Sequence, residues 1–500
     1  MRTRFAPSPT GFLHVGGVRT ALFAWLMAKK TKGTFVLRLE DTDRAREAPG
    51  AAENILKTLA WAGLSPDEGV MLEGETIVER GTFGPYVQSK RVHLYQEYAD
   101  QLIKSGQAYH CFCSPARLEE MRKLQEALRQ APMYDRTCLE LSAEEVKERL
   151  DAGEKHVLRM KIPREETIVY DDEIYGKLSF KGHTVDDQIL LKSDGFPTYH
   201  LAHVVDDHLM QMDMVIRGEE WLSSLPKHLL LFRFLGWTPP KYAHVPLILN
   251  TDRTKLSKRQ NDVATEQYIE KGYLAEALIN FLALLGWNPG TEQEIFTREE
   301  LLHAFSLNRV QKSGAVFDLQ KLDWVQGQWM RKIPVTDFAD RIKSLVSARY
   351  PAAAEDEKFI AKAALIQTRI TFFPEAAEML AFFYESPVVS KDVLVNPKQG
   401  VTESELPKII DFLLESLSSI PNSEWRKDVI VNVLESSNIS RFASKAAGGV
   451  DLSTCLKKGQ YLWPLRAALT GRPFSPGAYE VAALLGKEET LKRLKSGSRE

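Results

Sequence analysis

Two segments of this chain combine residue types suited to holding a polyphosphate. Near the N-terminus, Pro7-Ser8-Pro9-Thr10-Gly11-Phe12-Leu13-His14-Val15-Gly16-Gly17 joins an expected strand to an expected helix. Glycines at such a junction let backbone approach a phosphate, and the helix N-terminus adds free N–H donors and the positive end of its dipole. His14 supplies a side-chain donor that can follow charge developing on phosphoryl oxygens. Far along the chain, Lys255-Leu256-Ser257-Lys258-Arg259 sets three cations in five residues. Two lysines three apart can face one pyrophosphate leaving group and neutralise its charge. Each segment alone has an ordinary reading, a Gly-rich turn or a solvated basic loop. In this order within one chain, they point to an enzyme that grips ATP at both ends and directs attack on its α-phosphate.

The elements that position these residues follow from periodicity. Arg2 to Ala6 reads as a strand. Ala21, Leu22, Trp25, Leu26 and Ala28 recur at helical spacing within Val18 to Lys30, and Thr34 to Glu40 alternates as a second strand. A helix is expected at Ala51 to Ala62, so the chain starts β-α-β-α, the pattern of a parallel sheet. Residues 84–190 read as an insertion, with helices near 92–105, 116–129 and 142–150 and strands near 156–162 and 187–191. The rhythm returns with a strand at Met214 to Arg217 and a helix at Leu222 to Leu235. A polar loop, Asn250 to Asp262, carries the second basic segment. Beyond residue 263 the pattern is almost wholly helical, broken at Pro289, Pro334, Pro374 and Pro421.

Length and composition bound the rest. Five hundred residues exceed one core, so two to four domains are expected. A formal net charge of −2 gives no global attraction for a polyanion, which must be held by local basic patches. The four cysteines, Cys111, Cys113, Cys138 and Cys455, form no disulfide framework and suit a reducing compartment. No apolar signal core follows Met1. The most apolar stretch, Tyr273 to Trp287, is too short and too polar to span a bilayer. A cytoplasmic protein with no membrane partner is expected.

The sequence resembles the class I aminoacyl-tRNA synthetases, and their glutamyl branch most closely. The likeness is carried by Arg4-Phe5-Ala6-Pro7-Ser8-Pro9-Thr10-Gly11, Arg38-Leu39-Glu40-Asp41-Thr42-Asp43, Gly84-Pro85-Tyr86-Val87-Gln88-Ser89, Leu191 through Ala202, Val204-Val205-Asp206-Asp207-His208, the Lys255 to Arg259 segment and Pro464 through Gly471. It spans nearly the whole chain in the family's order. It implies an α/β Rossmann-like catalytic domain (1–83 and 191–250) with an α+β acceptor-end-binding insertion (84–190). A stem-contact region (251–330) and an all-α anticodon-binding region (331–500) then follow. The implied reaction has two steps. Glutamate attacks the α-phosphate of ATP, giving glutamyl-adenylate and pyrophosphate, and the acyl group then passes to the 3′ end of tRNA(Glu), forming a carbon–oxygen bond and releasing AMP.

Residue roles carry over position by position. His14, Lys255 and Lys258 are implied to be catalytic; with Gly16, Gly17, Ser257 and Arg259 they bind ATP, which arrives with Mg2+. Arg4, Ser8, Glu40, Tyr199 and Arg217 hold glutamate, whose two carboxylates call for guanidinium groups and whose ammonium calls for an acid. Two departures stand out: Gly17 replaces the second histidine of the first signature, and His203 stands where relatives usually have asparagine. Asp41, Asp43, Asp206 and Asp207 could be read as a magnesium cluster; turn and capping roles are preferred. Some relatives hold zinc with Cys-x-Cys, a 24-residue spacer and Cys-x-His. Here Cys111, Cys113 and Cys138 keep that spacing with Glu140 at the histidine position, so either a zinc site or three free thiols is open.

In the helical region Gln367 aligns with an arginine that, in discriminating relatives, reads the third anticodon base and excludes tRNA(Gln). An amide that both donates and accepts would admit tRNA(Gln) as well. The alternative is a two-residue slip that makes Arg369 the reader. A monomer is the expected state. Glutaminyl-tRNA synthetase is a rival, but its C-terminal half is β-barrel. A truncated paralogue that glutamylates a tRNA base would lack the anticodon region. A catalytically inactive tRNA-binding relative would not need His14, Lys255 and Lys258.

Overall fold

The computed structural model describes residues 1–256, 263–442, 444–446, 449–451 and 455–497. The chain forms two compact units, Met1–Val325 and Gln326–Glu500.

The first unit is built on a six-stranded sheet. Strands β1 (Arg2–Phe5), β2 (Thr34–Leu37), β3 (Glu68–Glu73) and β4 (Thr76–Arg80) come from the N-terminal segment. Three antiparallel strands, β5 (Ala108–Cys111), β6 (Val157–Met160) and β9 (Ile189–Leu191), form a small sheet inside the insertion, beside a hairpin of β7 (Thr167–Asp172) and β8 (Gly176–Lys181). The chain returns to the main sheet with β10 (Met214–Gly218) and β11 (Lys241–Val245), giving the order β11-β10-β1-β2-β3-β4. All neighbours are parallel except β3 and β4. The order reverses at β1, which pairs with β2 on one side and β10 on the other. The crevice beyond the carboxyl ends of these strands is where open α/β sheets bind ligands.

Period-two alternation along β1 assigns its faces. Thr3 Oγ1 donates to Ala24 O at 2.7 Å, on helix α1 (Val15–Lys30), which covers one face. The next residue, Arg4, turns to the other face, toward α6 (Tyr199–Leu209), which comes in the chain after helices α2 (Ala51–Trp61), α3 (Val92–Lys104), α4 (Pro115–Ala127) and α5 (Ala143–Asp151). Helix α7 (Leu225–Phe234) packs with α3 and α6, and Tyr95, Leu102, Met160, Leu190, Val205 and Leu231 share one core. Helix α1 starts at Val15 rather than Val18, because His14 caps it.

Several elements were not expected from periodicity: β3, β4, β5, the β7–β8 hairpin, α6 and β11. The hairpin lies along the outer edge of β11. Glu173 N donates to Tyr242 O at 2.9 Å, Tyr242 N donates to Tyr170 Oη at 2.9 Å, and His244 N donates to Asp172 Oδ1 at 3.4 Å.

The second unit is helical, with helices that include Val335–Arg349, Leu406–Ser418 and Lys458–Thr470. Phe338, Ile342, Ile366, Leu413, Leu417 and Leu465 lie in its core. Among its described residues the only strands are a short antiparallel pair, Ser444–Ala446 with Gly449–Asp451, so no barrel of the rival type is present there. Among the described residues, no helix is long and apolar enough to cross a membrane.

Candidate active site

A cleft of about 1120 Å³ opens at the carboxyl ends of β1, β2 and β10, lined by residues that include Arg4, Ser8, His14, Glu40, Arg217 and Lys255. His14 has extended backbone (φ −90°, ψ 156°) and caps α1, its Nδ1 accepting from Gly17 N at 3.0 Å. Accepting there fixes the proton of the neutral ring on Nε2. The residue is exposed to the cleft. Yet desolvation by the surrounding protein lowers its imidazole below the ordinary 6.5, with Lys255 pushing the same way and Glu220 opposing. A neutral Nε2–H beside a helix N-terminus suits a phosphoryl oxygen.

Neither glycine has positive φ, and each faces a side chain of the preceding turn. A Cβ on Gly16 would lie 3.1 Å from His14 Nδ1, and one on Gly17 would lie 2.7 Å from Leu13 Cδ1. Gly17, which replaces the family's second histidine, is therefore packed under the turn.

The two phosphate segments are fastened by backbone. Val15 N donates to Val263 O at 3.0 Å and Thr265 N donates to Leu13 O at 2.9 Å. On the near side Leu256 N donates to Ile248 O at 2.9 Å, and Asn250 N to Thr254 O at 2.8 Å. Lys255 thus reaches the same cleft as His14. Ser257, Lys258 and Arg259 lie outside the described residues.

Arg217, at the end of β10, has 5% exposure. Its Nε donates to His244 Nε2 at 3.0 Å, and its Nη1 donates to Tyr199 Oη and His228 Nδ1, each at 3.1 Å. Its Nη2 is buried with no hydrogen-bond partner. A buried unpaired guanidinium nitrogen in a cleft wall is a built receptor for a carboxylate. Glu40 is buried and takes Arg38 Nη2 on Oε1 at 2.9 Å. Burial raises its carboxyl above the ordinary value, against Arg38 and Arg4. Tyr199 opens α6, with its ring 4.2 Å from that of Trp221.

Arg4, Asp206 and Asp207 belong to one buried network. Asp207 accepts from Arg4 Nε at 3.2 Å and Arg38 Nη1 at 2.8 Å; Asp206 accepts from Arg91 Nε at 2.7 Å, Gln88 Nε2 at 2.9 Å and Tyr95 Oη at 2.9 Å. Neither aspartate is a turn or cap residue as expected, nor a magnesium ligand: arginines take up their charge. Of the other pair, Asp41 accepts from Ser89 N at 2.7 Å and Asp43 pairs with Arg46 at 3.6 Å.

His203 is fully buried and does not line the cleft. Its Nδ1 lies 2.9 Å from Asp207 Oδ2 and 3.3 Å from Arg4 Nη2, which has no lone pair to offer. The shorter contact decides: Nδ1–H donates to Asp207, and Nε2 accepts from Tyr242 Oη at 3.2 Å. Burial pushes this imidazole down to about 3, with Asp207 opposing and Arg217 and Arg4 assisting.

Among the described residues, Cys111, Cys113 and Cys138 are the only group of three or more His, Cys, Asp or Glu ligand atoms close enough to hold one metal ion, within 4.8 Å of one another. Glu140 is exposed and stands outside this group, a correction to its expected ligand role. The phenol of Tyr134 is at the fourth side instead: Cys111 Sγ donates to its oxygen at 3.4 Å and Cys113 Sγ lies 3.3 Å from it. Backbone Phe112 N and Arg117 Nη1 donate to the Cys138 and Cys113 sulfurs at 3.4 and 3.3 Å, while burial pushes the Cys113 thiol up to about 11 against the opposing hydrogen bond with Tyr134.

In the second unit, Gln367 has 8% exposure, and its Nε2 donates to Met330 O at 3.0 Å and Ile333 O at 2.7 Å. Both amide N–H bonds are engaged inside the unit, which corrects its expected role as a base reader. Arg369 is exposed.

Sequence reasoning missed Glu220, Trp221, His228 and His244. The first two lie two and three residues past Gly218, and an acid and an aromatic just past a strand-ending glycine are a readable signal. His228 and His244 carry none, since only the fold brings them to Arg217.

The catalytic-domain model of the class I tRNA synthetases (E and Q) matches residues 1–324, and an anticodon-binding-domain model matches residues 335–498. The chain is 42% identical to a glutamate–tRNA ligase of Chlorobium phaeovibrioides, over 99% of this chain and 94% of that protein. It is 41% identical to one of Alkaliphilus metalliredigens, over 99% and 98%. A crystal structure of a glutamate–tRNA ligase from Elizabethkingia meningosepticum, in complex with its amino acid, superposes with a TM-score of 0.84 at 34% identity, covering 99% of both chains.

Proposed function

The chain belongs to the glutamate–tRNA ligases of the class I tRNA synthetases, and on that premise we propose how its cleft activates L-glutamate with ATP and which tRNA it charges. The observation that carries the reading is the unpaired Nη2 of Arg217, in the same cleft as His14 and Lys255. Arg217 takes a glutamate carboxylate, Arg4 supplies the second cation, Glu40 faces the ammonium, and Tyr199 and Ser8 complete the wall. ATP lies with its phosphates over Gly16 and Gly17. His14 Nε2–H and Lys255 stabilise charge as a glutamate carboxylate oxygen attacks the α-phosphorus and pyrophosphate leaves. Lys258, with Ser257 and Arg259, is assigned to the leaving group from its place in the signature. Magnesium enters as the ATP complex, since the buried aspartates nearby are engaged by arginines.

Arg369 reads the anticodon in place of Gln367, because it is an exposed donor-only group. Such a reader favours tRNA(Glu) over tRNA(Gln), and one well-made base contact discriminates by about 1–3 kcal/mol, roughly 5- to 150-fold. Aminoacylation with purified tRNA(Glu) and tRNA(Gln) tests both levels. Glutamate should be joined to tRNA(Glu), and Arg369→Gln should narrow the gap between the two tRNAs. Equal charging by the parent removes Arg369 as the reader, and failure to charge with glutamate removes the whole assignment.

Zinc is the ion that the cysteine cluster suits. Sulfurs about 2.3 Å from a tetrahedral ion stand about 3.8 Å apart, and Cys113 and Cys138 sulfurs are 3.5 Å apart. Cys111, Cys113 and Cys138 would hold it, with Tyr134 Oη on the fourth side, and the ion would tie β5 to the Thr137–Leu139 turn. Metal analysis should find about one zinc per chain, lost in Cys138→Ser and kept in Glu140→Ala. Metal-free parent protein would refute the site.

A further inference from the structure

Asp172 belongs to none of the signatures, yet it is 3% exposed and ionised at the end of β7 in the insertion. Burial alone would raise its carboxyl, but His244 and the backbone N–H groups of Tyr175 and Ile174 hold it below the ordinary value. Its Oδ1 accepts from Ile174 N at 3.0 Å and Tyr175 N at 2.9 Å, closing the hairpin turn. Its Oδ2 lies 2.7 Å from Nδ1 of the fully buried His244. A carboxylate there fixes the ring proton on Nδ1 and leaves the Nε2 lone pair free. That lone pair is the acceptor for Arg217 Nε.

The guanidinium of Arg217 carries five N–H bonds. One goes to His244, and two, on Nη1, go to Tyr199 and His228. The two on Nη2 have no partner. Every hydrogen-bond acceptor touching this guanidinium is neutral, and Asp172 reaches it only through the imidazole of His244. A carboxylate bound directly to Arg217 would occupy N–H donors that a ligand needs; one held off by a ring sets the orientation of the guanidinium and leaves those donors.

We infer that Asp172 and His244 are positioning residues for amino-acid selection, holding Arg217 so that both Nη2 N–H bonds face the carboxylate of the substrate. This rests on the reading of Arg217 as the carboxylate anchor. It also makes the insertion part of the amino-acid pocket, because Asp172 reaches β11 from the β7–β8 hairpin.

Asp172→Asn tests it. The amide can keep the turn, but its N–H₂ would face His244 Nδ1, move the ring proton to Nε2 and set two donors against each other, as in the tautomer error of serine-protease triads. KM for glutamate should rise about 10- to 100-fold, with KM for ATP and for tRNA(Glu) within about twofold. His244→Gln keeps an acceptor for Arg217 and has no tautomer to lose. It should stay within about threefold of the parent, and adding Asp172→Asn to it should cost no more than about twofold. If Asp172→Asn yields too little folded protein, His244→Leu against His244→Gln carries the test: leucine should lose at least about tenfold in KM for glutamate, and equal values for the two overturn the inference. An unchanged KM for glutamate in Asp172→Asn, or equal losses for all three substrates, also overturns it. Arg217→Leu separates the two levels. If that variant is crippled while Asp172→Asn is normal, only the positioning role fails; if it charges normally, both fail.

Discussion

Arg217→Leu is expected to lower kcat/KM for glutamate between roughly 150- and 5000-fold, the equivalent of about 3–5 kcal/mol for breaking a buried charge pair. The size follows from what is left behind. A bound carboxylate loses its two Nη2 donors, and His244, His228 and Tyr199 each lose an N–H they now accept. The same accounting predicts rejection of glutamine. Its neutral amide can accept at only one atom and presents N–H₂ to a group that only donates. Charging rates with glutamate and glutamine, for parent and variant, check this: the preference for glutamate should largely collapse. A variant that keeps parental glutamate use would place the carboxylate elsewhere in the cleft.

The second large effect is on stability. Asp207 is almost fully buried and receives Arg4, Arg38 and His203. Asp207→Ala would leave two guanidinium groups buried without their shared counter-charge, a loss of about 3–5 kcal/mol. Burial alone would raise the Asp207 carboxyl, but Arg4, His203 and Arg38 outweigh it and hold the group well below the ordinary 3.8. A group whose native value lies below its unfolded value stabilises the fold above the unfolded value. That contribution is lost as pH falls toward the native one. The thermal midpoint of the parent should therefore exceed that of the variant by a constant margin above about pH 5, and the margin should shrink as the pH is lowered through 4 and below. A margin independent of pH would mean that packing, and not charge, sustains the site.

What was legible in the sequence was local. His14, Gly16, Gly17 and Lys255 form short contiguous segments whose spacing states their chemistry, and β1, α1, β2 and β10 show it in their periodicity. Helix α6 hid because both its faces are buried: Leu201, His203, Val205, Asp206 and Asp207 are all covered, so no polar stripe marks a helix. The two aspartates read as turn residues because the arginines that neutralise them come from β1, from just past β2 and from residue 91. Strand β11 has four consecutive buried residues and no alternation. Gln367 looked like a reader because burial cannot be seen in an alignment, and Tyr134 was passed over because a phenol is not among the side chains sought as zinc ligands.

The hairpin along β11 also bears on how the chain behaves in company. A parallel sheet ends in a row of unpaired backbone groups, which invites pairing with another molecule. Here the outward N–H and C=O of Tyr242 and the N–H of His244 are met by Tyr170, Glu173 and Asp172, two of the three through side chains. Side-chain partners satisfy the edge but do not continue the ladder, so the hairpin closes the sheet without offering a further strand direction. Excising the hairpin, residues 167–181, would reopen a buried apolar strand, and the shortened chain would be prone to intermolecular β-association and precipitation during refolding.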